Sequence, residues 1–514
     1  MKNYSSILIV LFFSLFPLIK IFGQKKEKIK YKADELQYIR IKKEPVRKLI
    51  NNVIFTQGLT TIKCDSAYYF NKQKIMEAYS NVIITDKDSV IITANKLIYN
   101  GNKKFADLSG NVVYRKKNNV LKTKNLVYDF INKIGKFRNK GRLSDQQNIL
   151  ISDFGEFNSD NNYSLFNKNV KLISPDYTLK SDTLKYYSDS KIAYTFGPTE
   201  IITKDSVIVN ANGGEFFTDI KFTEFEKSSI ETNEYFLEAD EITLNKNKEY
   251  YSALGNVKLI SKFSNYIITG RKGYVDKKKN ITKVYENPIL KKIIPYDTFY
   301  LSSDTIIAFE NINYNERKIV AFNNVKIIKK GLEGKADSIS YLLKDSLITM
   351  FNQPIIWNEN NQITSDTIEF FLVNNLVKKM FLNKNSFIIS LDTMENYNQI
   401  KGRNMVSYFD DNNYINNIQV IGNGESIYFA LNENKNSIIG LNYMICSDMN
   451  IRFENNEIKD ITFFKNPKAK LIPPHEINDE DLHLKGFLWR EDERPILEDV
   501  VYYFRKRIYL RNEN

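Results

Sequence analysis

Hydrophobic and polar residues alternate along most of this chain with a period of two. Short examples are Leu184-Lys185-Tyr186, Val325-Lys326-Ile327 and Ile339-Ser340-Tyr341. This period places alternate side chains on opposite faces of a β-strand, so each strand has one apolar and one polar face. The 3.6-residue period and the Ala- and Leu-rich stretches of a helical repeat protein do not occur in the sequence. The pattern therefore predicts an all-β fold.

A six-residue pattern returns about every thirty residues, which indicates one structural unit repeated about thirteen times. The pattern is a small residue, then Asp, Asn or another polar residue, any residue, a hydrophobe, a spacer and an aromatic residue. Its copies begin at Cys64, Ala94, Thr123, Ser152, Ser181, Ala211, Ala239, Gly270, Ser303, Ala336, Ser365 and Gly402, with a degenerate copy at Ser447.

A second short pattern follows most copies by about sixteen to twenty residues. Gly110-Asn111-Val112 and Gly255-Asn256-Val257 are typical, and Gly197-Pro198 is a variant that contains proline. Gly, Asn and Pro supply the backbone conformations that turns require. We therefore expect the chain to reverse at each of these points, so that a repeat holds three or four short strands.

A unit of about thirty residues cannot bury its apolar face alone and has to stack on its neighbours. The repeats therefore predict a long β-solenoid or a two-sheet, jelly-roll-like stack over residues 31–474. Cys64 and Cys446 would then lie far apart, so they are expected to be small apolar side chains and not a disulfide. The repeats stop after Pro474, and residues 475–514 are interpreted as a non-repetitive tail, whose basic and aromatic last stretch, residues 500–514, is expected to be either a flexible end or a docking segment.

The first residues have the features of a secretory signal. Lys2 precedes an apolar run from Ile7 to Ile19, and Gly23 or Gln24 is a suitable cleavage point. Residues 1–24 are therefore predicted to be a signal peptide, with an uncleaved anchor as the alternative. No Cys follows the run, so a lipid-modified start is not expected.

The chain is basic, with 74 Lys and Arg against 61 Asp and Glu and a formal net charge of +13. Such an excess suits an anionic membrane surface, an acidic ligand or nucleic acid. Because the chain is predicted to be exported, nucleic acid is not expected as a partner. Part of the excess is also expected simply to solvate the polar faces of the strands.

The sequence offers little for catalysis. Its two histidines, His475 and His483, lie outside the repeats, and no zinc-protease, serine-hydrolase or complete phosphate-loop motif is present. We therefore predict no catalytic residue, metal or cofactor. Repeated aspartates are expected to face solvent or to accept bonds from backbone amides at turns; these are Asp65, Asp182, Asp240, Asp304, Asp337 and Asp366.

The paired motifs, with their thirty-residue spacing behind a signal peptide, resemble the OstA-like proteins, which are periplasmic bridge components of lipopolysaccharide transport. The closing Leu484 to Trp489, with Arg494-Pro495, looks like the end of the longer Bacteroidetes-type members. This resemblance implies an elongated β-taco, two antiparallel sheets whose apolar interior shields lipid A acyl chains while the sugars stay in water. The chain has more repeats than the short bridge proteins, which puts self-oligomerisation in doubt.

The resemblance also implies partners and a place in the cell. The partners are lipopolysaccharide, an inner-membrane extraction complex and an outer-membrane translocon, the two complexes being joined through edge strands. The location is the periplasm, with an association with the outer or inner membrane left open. Two other functions remain open: a structural or adhesive β-solenoid at the cell surface, and a carbohydrate-active enzyme, which would need two suitably spaced carboxylates.

An apolar groove is what a lipid route requires, because exposing an acyl chain to water costs about 0.8 kcal/mol per CH₂. The in-phase hydrophobic residues are the candidates for its lining, although an ordinary β-core would bury them too. The candidates are Val82, Ile84, Leu97, Tyr99, Val112, Tyr114, Leu126, Tyr128, Leu184, Tyr186, Val257, Leu259, Val325, Ile327, Ile339, Tyr341, Ile368 and Phe370.

Overall fold

The computed structural model describes residues 28–500 except 87–89, 145–146, 162, 188, 191, 218–221, 246–247, 263–264, 295–296, 311–316, 375, 411–413, 435 and 455–456. Within this part, antiparallel strands account for nearly all of the regular structure, so the predicted all-β fold is confirmed. The predicted signal peptide lies outside the described residues. In the described part, no helix is both long enough and apolar enough to cross a bilayer.

The chain divides into two compact units. The first holds the described residues up to Ile149, together with Asp153–Asn161. Its strands are β1 (Lys30–Lys32), β2 (Glu35–Ile41), β3 (Glu44–Gln57), β4 (Thr60–Phe70), β5 (Ile75–Asp86), β6 (Val90–Asn100), β7 (Phe105–Lys116), β8 (Asn119–Asp129) and β9 (Ile134–Ser144), and β10 (Ile149–Asn158) has residues in both units. From β3 to β9 each strand pairs antiparallel with the next.

The second unit also consists of antiparallel strands, most of which pair with the next strand, although some pair with a later one, such as β19 with β22. Its strands are β11 (Tyr163–Ile173), β12 (Tyr177–Tyr187), β13 (Ile192–Thr203), β14 (Ile208–Phe217), β15 (Phe222–Glu231), β16 (Tyr235–Asn245), β17 (Tyr250–Ser261), β18 (Tyr266–Asp276), β19 (Ile281–Tyr285), β20 (Ile289–Ile294), β21 (Asp297–Ser302), β22 (Thr305–Phe309), β23 (Lys318–Lys329), β24 (Leu332–Leu342), β25 (Leu347–Phe351), β26 (Ile355–Asn358), β27 (Asn361–Thr364), β28 (Thr367–Val373), β29 (Leu376–Leu391), β30 (Tyr397–Phe409), β31 (Ile415–Leu431), β32 (Ile438–Glu454), β33 (Glu457–Phe464) and β34 (Lys468–Ile472).

Most strands carry an irregularity near their middle, at the position of the repeat motifs. Between β7 and β8, for example, Gly110 and Asn111 oppose the single residue Lys124, which is the geometry of a β-bulge. The expectation that the chain reverses at Gly-Asn-Val was wrong, because here the strand bends and continues. A repeat therefore holds two strands of about eleven residues, not three or four short ones.

The bend divides each unit into two leaves. The first leaf consists of the strand halves on one side of the bends. It includes residues 105–109 and 125–129 in the first unit, and residues 318–322 and 338–342 in the second. The second leaf includes the opposite halves, such as 112–116 and 119–123, or 325–329 and 332–336. Buried residues on both sides of the bend face a common interior, and the ring centroids of Tyr114 and Tyr128 lie 5.8 Å apart across it.

Side chains at the bends pair the two repeat motifs with each other. In β5, Asn81 has a left-handed backbone (φ 49°), and its amide Nδ2 donates to Asp65 Oδ2 of β4 at 2.8 Å. The same Asn–Asp bond occurs at Asn256–Asp240, Asn324–Asp304, Asn352–Asp337 and Asn385–Asp366. The aspartates are exposed or partly exposed, as expected, but the bonding partner of these five is an asparagine side chain and not a backbone amide. Asp182 instead accepts a hydrogen bond from the Thr183 hydroxyl at 3.2 Å.

In β6 the buried side chains become larger from the bend toward the far end of the first leaf. In β6 the order from the bend outward is Ala94, Leu97 and Tyr99, and all three are buried. At the bend the same strands pass from one leaf to the other, so the two leaves are closest there. The interior is therefore a wedge, narrow at the bend and wide at the far ends of the strands, which we call the mouth.

Candidate functional site

The predicted lining residues lie on the inner faces of the leaves. Sixteen of the eighteen are buried, and Tyr186 and Tyr341 are half-buried. Inner and outer faces differ sharply along one strand: Leu126 and Tyr128 are fully buried, whereas Val127 between them is partly exposed. Full burial of each such side chain stabilises the fold by about 1.5–3 kcal/mol. The structure thus brings the candidate residues together as one apolar surface within each unit.

Side chains from the two leaves meet at the mouth of the first unit. The Tyr99 hydroxyl donates to Gln57 Oε1 at 2.9 Å, and Gln57 Nε2 donates to the carbonyl oxygen of Gly101 at 2.9 Å. Tyr99 belongs to the first leaf and Gln57 to the second, so this pair joins the leaves. The interior of the first unit is therefore closed at this point by polar contacts.

Charged groups close the same mouth two strands further along. The Lys133 ammonium of the first leaf lies 2.5 Å from Asp86 Oδ2 of the second, and only 5% of the Asp86 side chain is exposed. Lys116 donates to the carbonyl oxygen of Ser159 at 2.7 Å. Burial raises the pKa of the nearby Tyr114 and Tyr128 hydroxyls, so both stay neutral at physiological pH.

The mouth of the second unit also contains buried polar groups. The Tyr266 hydroxyl donates to Glu310 Oε1 at 2.9 Å beside a cavity of about 20 Å³ that Arg317 also lines. Burial raises the pKa of Glu310, since desolvation disfavours its charged form. Further along, the Lys292 ammonium lies 5.3 Å from the centroid of the Tyr341 ring, and burial lowers the pKa of this lysine.

The chain after Pro473 packs against the second unit. We call residues 474–500 the C-terminal segment, which includes short 3-10 turns at Pro474–Glu476, Asp479–Asp481 and Glu491–Glu493. It lies on the outer face of the second leaf, where Leu484 joins a cluster with Phe387 and Phe429. Its described part is thus packed on the chain's own strands, whereas residues 501–514, on which the flexible-end and docking interpretations fall, lie outside the described residues.

Two buried glutamines hold the C-terminal segment through its backbone. Gln399 donates to the Leu482 carbonyl oxygen at 2.8 Å and accepts from the Leu484 amide at 2.8 Å. Gln362 does the same with the Leu488 carbonyl oxygen and the Arg490 amide, at 2.7 and 2.6 Å. Each glutamine side chain thus donates one hydrogen bond to the backbone of the segment and accepts one from it, as the backbone of a neighbouring strand would.

Ion pairs fix the far end of the C-terminal segment. Arg494 Nη2 lies 2.7 Å from Glu333 Oε2, and Lys335 Nζ lies 2.7 Å from Glu493 Oε2. Beyond them, a cavity of about 670 Å³ lies between the segment and the strands, with Tyr300 in its wall.

The sequence contains a signal for this covered face that differs from the alternation with a period of two. Ile355-Ile356-Trp357 and Phe387-Ile388-Ile389 are buried at three successive positions, which breaks the period of two. Strands that are buried on both faces give continuous apolar runs. Such runs in an alternating chain indicate a second packing partner, here the C-terminal segment.

Histidines and cysteines occupy structural positions. The His483 ring stacks on Phe487 with centroids 4.0 Å apart, while His475 is exposed. Cys64 and Cys446 are buried and free, and burial raises the pKa of Cys64 to about 12. In the described part of the chain, no three His, Cys, Asp or Glu residues are grouped so as to hold a metal ion.

Comparison with known proteins gives two family matches. Residues 25–182 match the family of OstA-like proteins, and residues 237–375 match a family described as LptA/(LptD N-terminal domain) lipopolysaccharide-transport protein. No curated protein matches the chain.

Two solved structures illustrate the range of structural neighbours. One is LptH of Pseudomonas aeruginosa, the LptA-homologous periplasmic component of its lipopolysaccharide transport device, at 18% identity. That match covers 23% of this chain and 81% of LptH, with a TM-score of 0.20. The other is the WD40 domain of SCAP from fission yeast, at 9% identity, 82% and 96% coverage and a TM-score of 0.11. Both TM-scores are too low to support an argument, so the family rests on the two sequence matches. On these matches, the chain is similar to OstA-like proteins over residues 25–182 and to LptA/(LptD N-terminal domain) lipopolysaccharide-transport proteins over residues 237–375.

Proposed function

We propose that this protein shields the acyl chains of lipopolysaccharide from water while the lipid crosses the periplasm between the two membranes. The observation that carries the proposal is the wedge-shaped apolar interior between the leaves, which occurs in both stretches that match the transport families. The lining residues proposed for contact with lipid are those expected from the sequence, such as Leu126 and Ile327.

The energetics favour such an interior. Burying an acyl chain of about twelve CH₂ groups stabilises it by about 10 kcal/mol relative to water. A transport protein therefore needs an apolar surface that continues from strand to strand, because each gap would expose part of the chain. A polar carrier surface offers no comparable gain.

Entry of lipid between the leaves requires the mouth to widen. In the present conformation Tyr114 and Tyr128 fill the mouth of the first unit, and the Gln57–Tyr99 bond crosses it. Rotation of these rings and opening of the polar contacts would admit acyl chains, whose burial offsets the lost contacts. The sugars would remain in water outside the mouth.

The proposed partners are an inner-membrane extraction complex and an outer-membrane translocon, with no chemical reaction catalysed. An edge strand presents unpaired backbone amide and carbonyl groups that another sheet can extend. Among the described pairings, β34 is paired only with β32, so β34 is the candidate edge for one such partner.

Site-specific photo-crosslinking in cells tests the proposal with matched inner and outer positions. A photoreactive residue in place of Leu126 or Ile327 should crosslink to lipopolysaccharide. The same residue in place of Val127 or Lys326, which lie on the outer face one position away, should give little or no product. Equal crosslinking from inner and outer positions, or none from either inner position, would contradict the proposed function.

A further inference from the structure

We propose that Lys116 and Lys133, at the mouth of the first unit, bind the phosphate of a phosphorylated lipid headgroup, and that Asp86 occupies Lys133 until the headgroup arrives. The inference rests on the proposed function and adds a specific headgroup site to it.

The two lysines approach the mouth from opposite leaves. Lys116 is the last residue of β7, on the second leaf, whereas Lys133 immediately precedes β9, on the first. Both lysines contact Ser159. The Lys116 ammonium donates to the Ser159 carbonyl oxygen at 2.7 Å, and the Ser159 amide donates to the backbone carbonyl oxygen of Lys133 at 3.0 Å. The Lys116 ammonium and the Lys133 backbone thus meet at Ser159, while the Lys133 ammonium pairs with Asp86 at the same rim.

Hydroxyl groups near the lysines add neutral donors. The Tyr128 and Ser159 hydroxyl oxygens are 3.4 Å apart, and the Ser159 hydroxyl also donates to the Lys133 carbonyl oxygen at 3.3 Å. Ammonium and hydroxyl groups are the donors that a phosphate needs, because each of its oxygens accepts hydrogen bonds. An acyl chain in the interior would place its headgroup at this rim.

Asp86 gives the site an internal competitor. Its carboxylate accepts from Lys133 at 2.5 Å and from the Thr60 hydroxyl at 3.0 Å. A headgroup phosphate that pairs with Lys133 would replace Asp86 as its partner. Because Asp86 and Lys133 lie on different leaves, this exchange also removes a contact that holds the mouth closed. Headgroup binding and mouth opening are therefore linked.

The test measures binding of the full chain to two probes, purified bisphosphorylated lipid A and the same lipid after enzymatic dephosphorylation. We expect Lys133→Met to bind the phosphorylated probe about tenfold more weakly, as expected for one lost charge-assisted hydrogen bond, with little change for the dephosphorylated probe. Lys136→Met is the matched control, since Lys136 pairs with Glu156 at 2.8 Å and is well exposed. It should bind both probes like the wild type.

A second variant keeps the test decisive should Lys133→Met fail to fold. Asp86→Asn retains both lysines and removes the competing charge, so it should bind the phosphorylated probe several-fold more tightly. Equal losses for both probes in Lys133→Met, or no gain in Asp86→Asn, would overturn the headgroup site. Wild-type protein that binds both probes equally would overturn this site alone, whereas wild-type protein that binds neither would overturn the proposed function as well.

Discussion

Asparagine recurs at the bends because it meets two local requirements there. Its backbone tolerates the left-handed region better than most residues, and Asn385 has a φ of 48°. Its side-chain amide also reaches the aspartate of the neighbouring strand, as Asn385 Nδ2 does to Asp366 Oδ1 at 3.1 Å. One residue type thus satisfies both the conformation and the hydrogen bond.

Substitution of Asn385 should separate these two contributions. We expect Asn385→Ala to lower the free energy of unfolding by about 1–2 kcal/mol, through the lost bond and the cost of a left-handed alanine. Asn385→Gly loses only the hydrogen bond, so its free energy of unfolding should decrease by less than that of Asn385→Ala. Denaturant unfolding of both variants measures the difference, and an alanine variant as stable as the glycine variant would rule out the conformational contribution.

The residue motifs could be found in the sequence, but their pairing could not. Asp65 and Asn81 are sixteen residues apart, and each motif alone is also typical of a hairpin turn. Residues with a left-handed backbone conformation occur both where a chain reverses and where a strand has a β-bulge. The position of the neighbouring strand decides between these alternatives, and only the fold supplies it.

On the first leaf, β6 and β8 follow a gradient of side-chain size, from leucine near the bend to tyrosine at the mouth, whereas the buried residues of β7 run from Leu108 to Ala106. The period of two predicts which residues share a face, because successive side chains of a strand point to opposite sides, and the buried residues of β6 follow it on each side of the bend. The number of strands per repeat was wrong, because the bends were interpreted as reversals. The gradient itself was visible in the small–hydrophobe–aromatic motif, but its meaning required the wedge between the leaves.

Enlarging a side chain at a bend should therefore be more damaging than the same change one position away. Ala94 is buried opposite Val82, so Ala94→Leu should lower the free energy of unfolding by about 1–3 kcal/mol through overpacking. Thr93→Leu points outward and should change it by no more than about 0.5 kcal/mol. Similar stabilities of the two variants in denaturant unfolding would argue against a narrow interior at the bend.

In the second unit, the C-terminal segment covers the outer face of a leaf whose inner face lines the proposed lipid site. Part of this leaf is thus packed on both sides, which explains why Trp357 is fully buried. The ion pairs of Glu493 and Arg494 tie the segment to β24, which lies far from it in sequence. The segment is therefore expected to restrain the second leaf.

Attachment of the C-terminal segment should weaken in acid. Arg490 and Lys335 lower the pKa of Glu493 from 4.5 to about 2. The contribution of this carboxylate to stability is therefore complete above about pH 4.5 and is lost as the pH falls toward about 2. Trp489, whose ring lies 5.4 Å from that of Tyr397, should report the loosening by fluorescence in this range.

The variant Glu493→Gln should lose this part of the pH dependence, because its side chain does not titrate. Glu498→Gln, at an exposed position of the same segment, serves as the control and should keep the wild-type profile. A wild-type acid transition retained in Glu493→Gln would show that another group controls the attachment.

The sequence by itself determined the all-β class, the alternation of inner and outer faces and the repeat, because these follow from side-chain alternation and from residues that recur at a fixed spacing. It also carried the family motifs that the two matches support. Only the tertiary structure decided that the motifs form bulges, that Asp86 meets Lys133 across the mouth, and that the C-terminal segment covers the second leaf. Each of these joins residues distant in sequence, and no local pattern encodes which distant partner a side chain will meet.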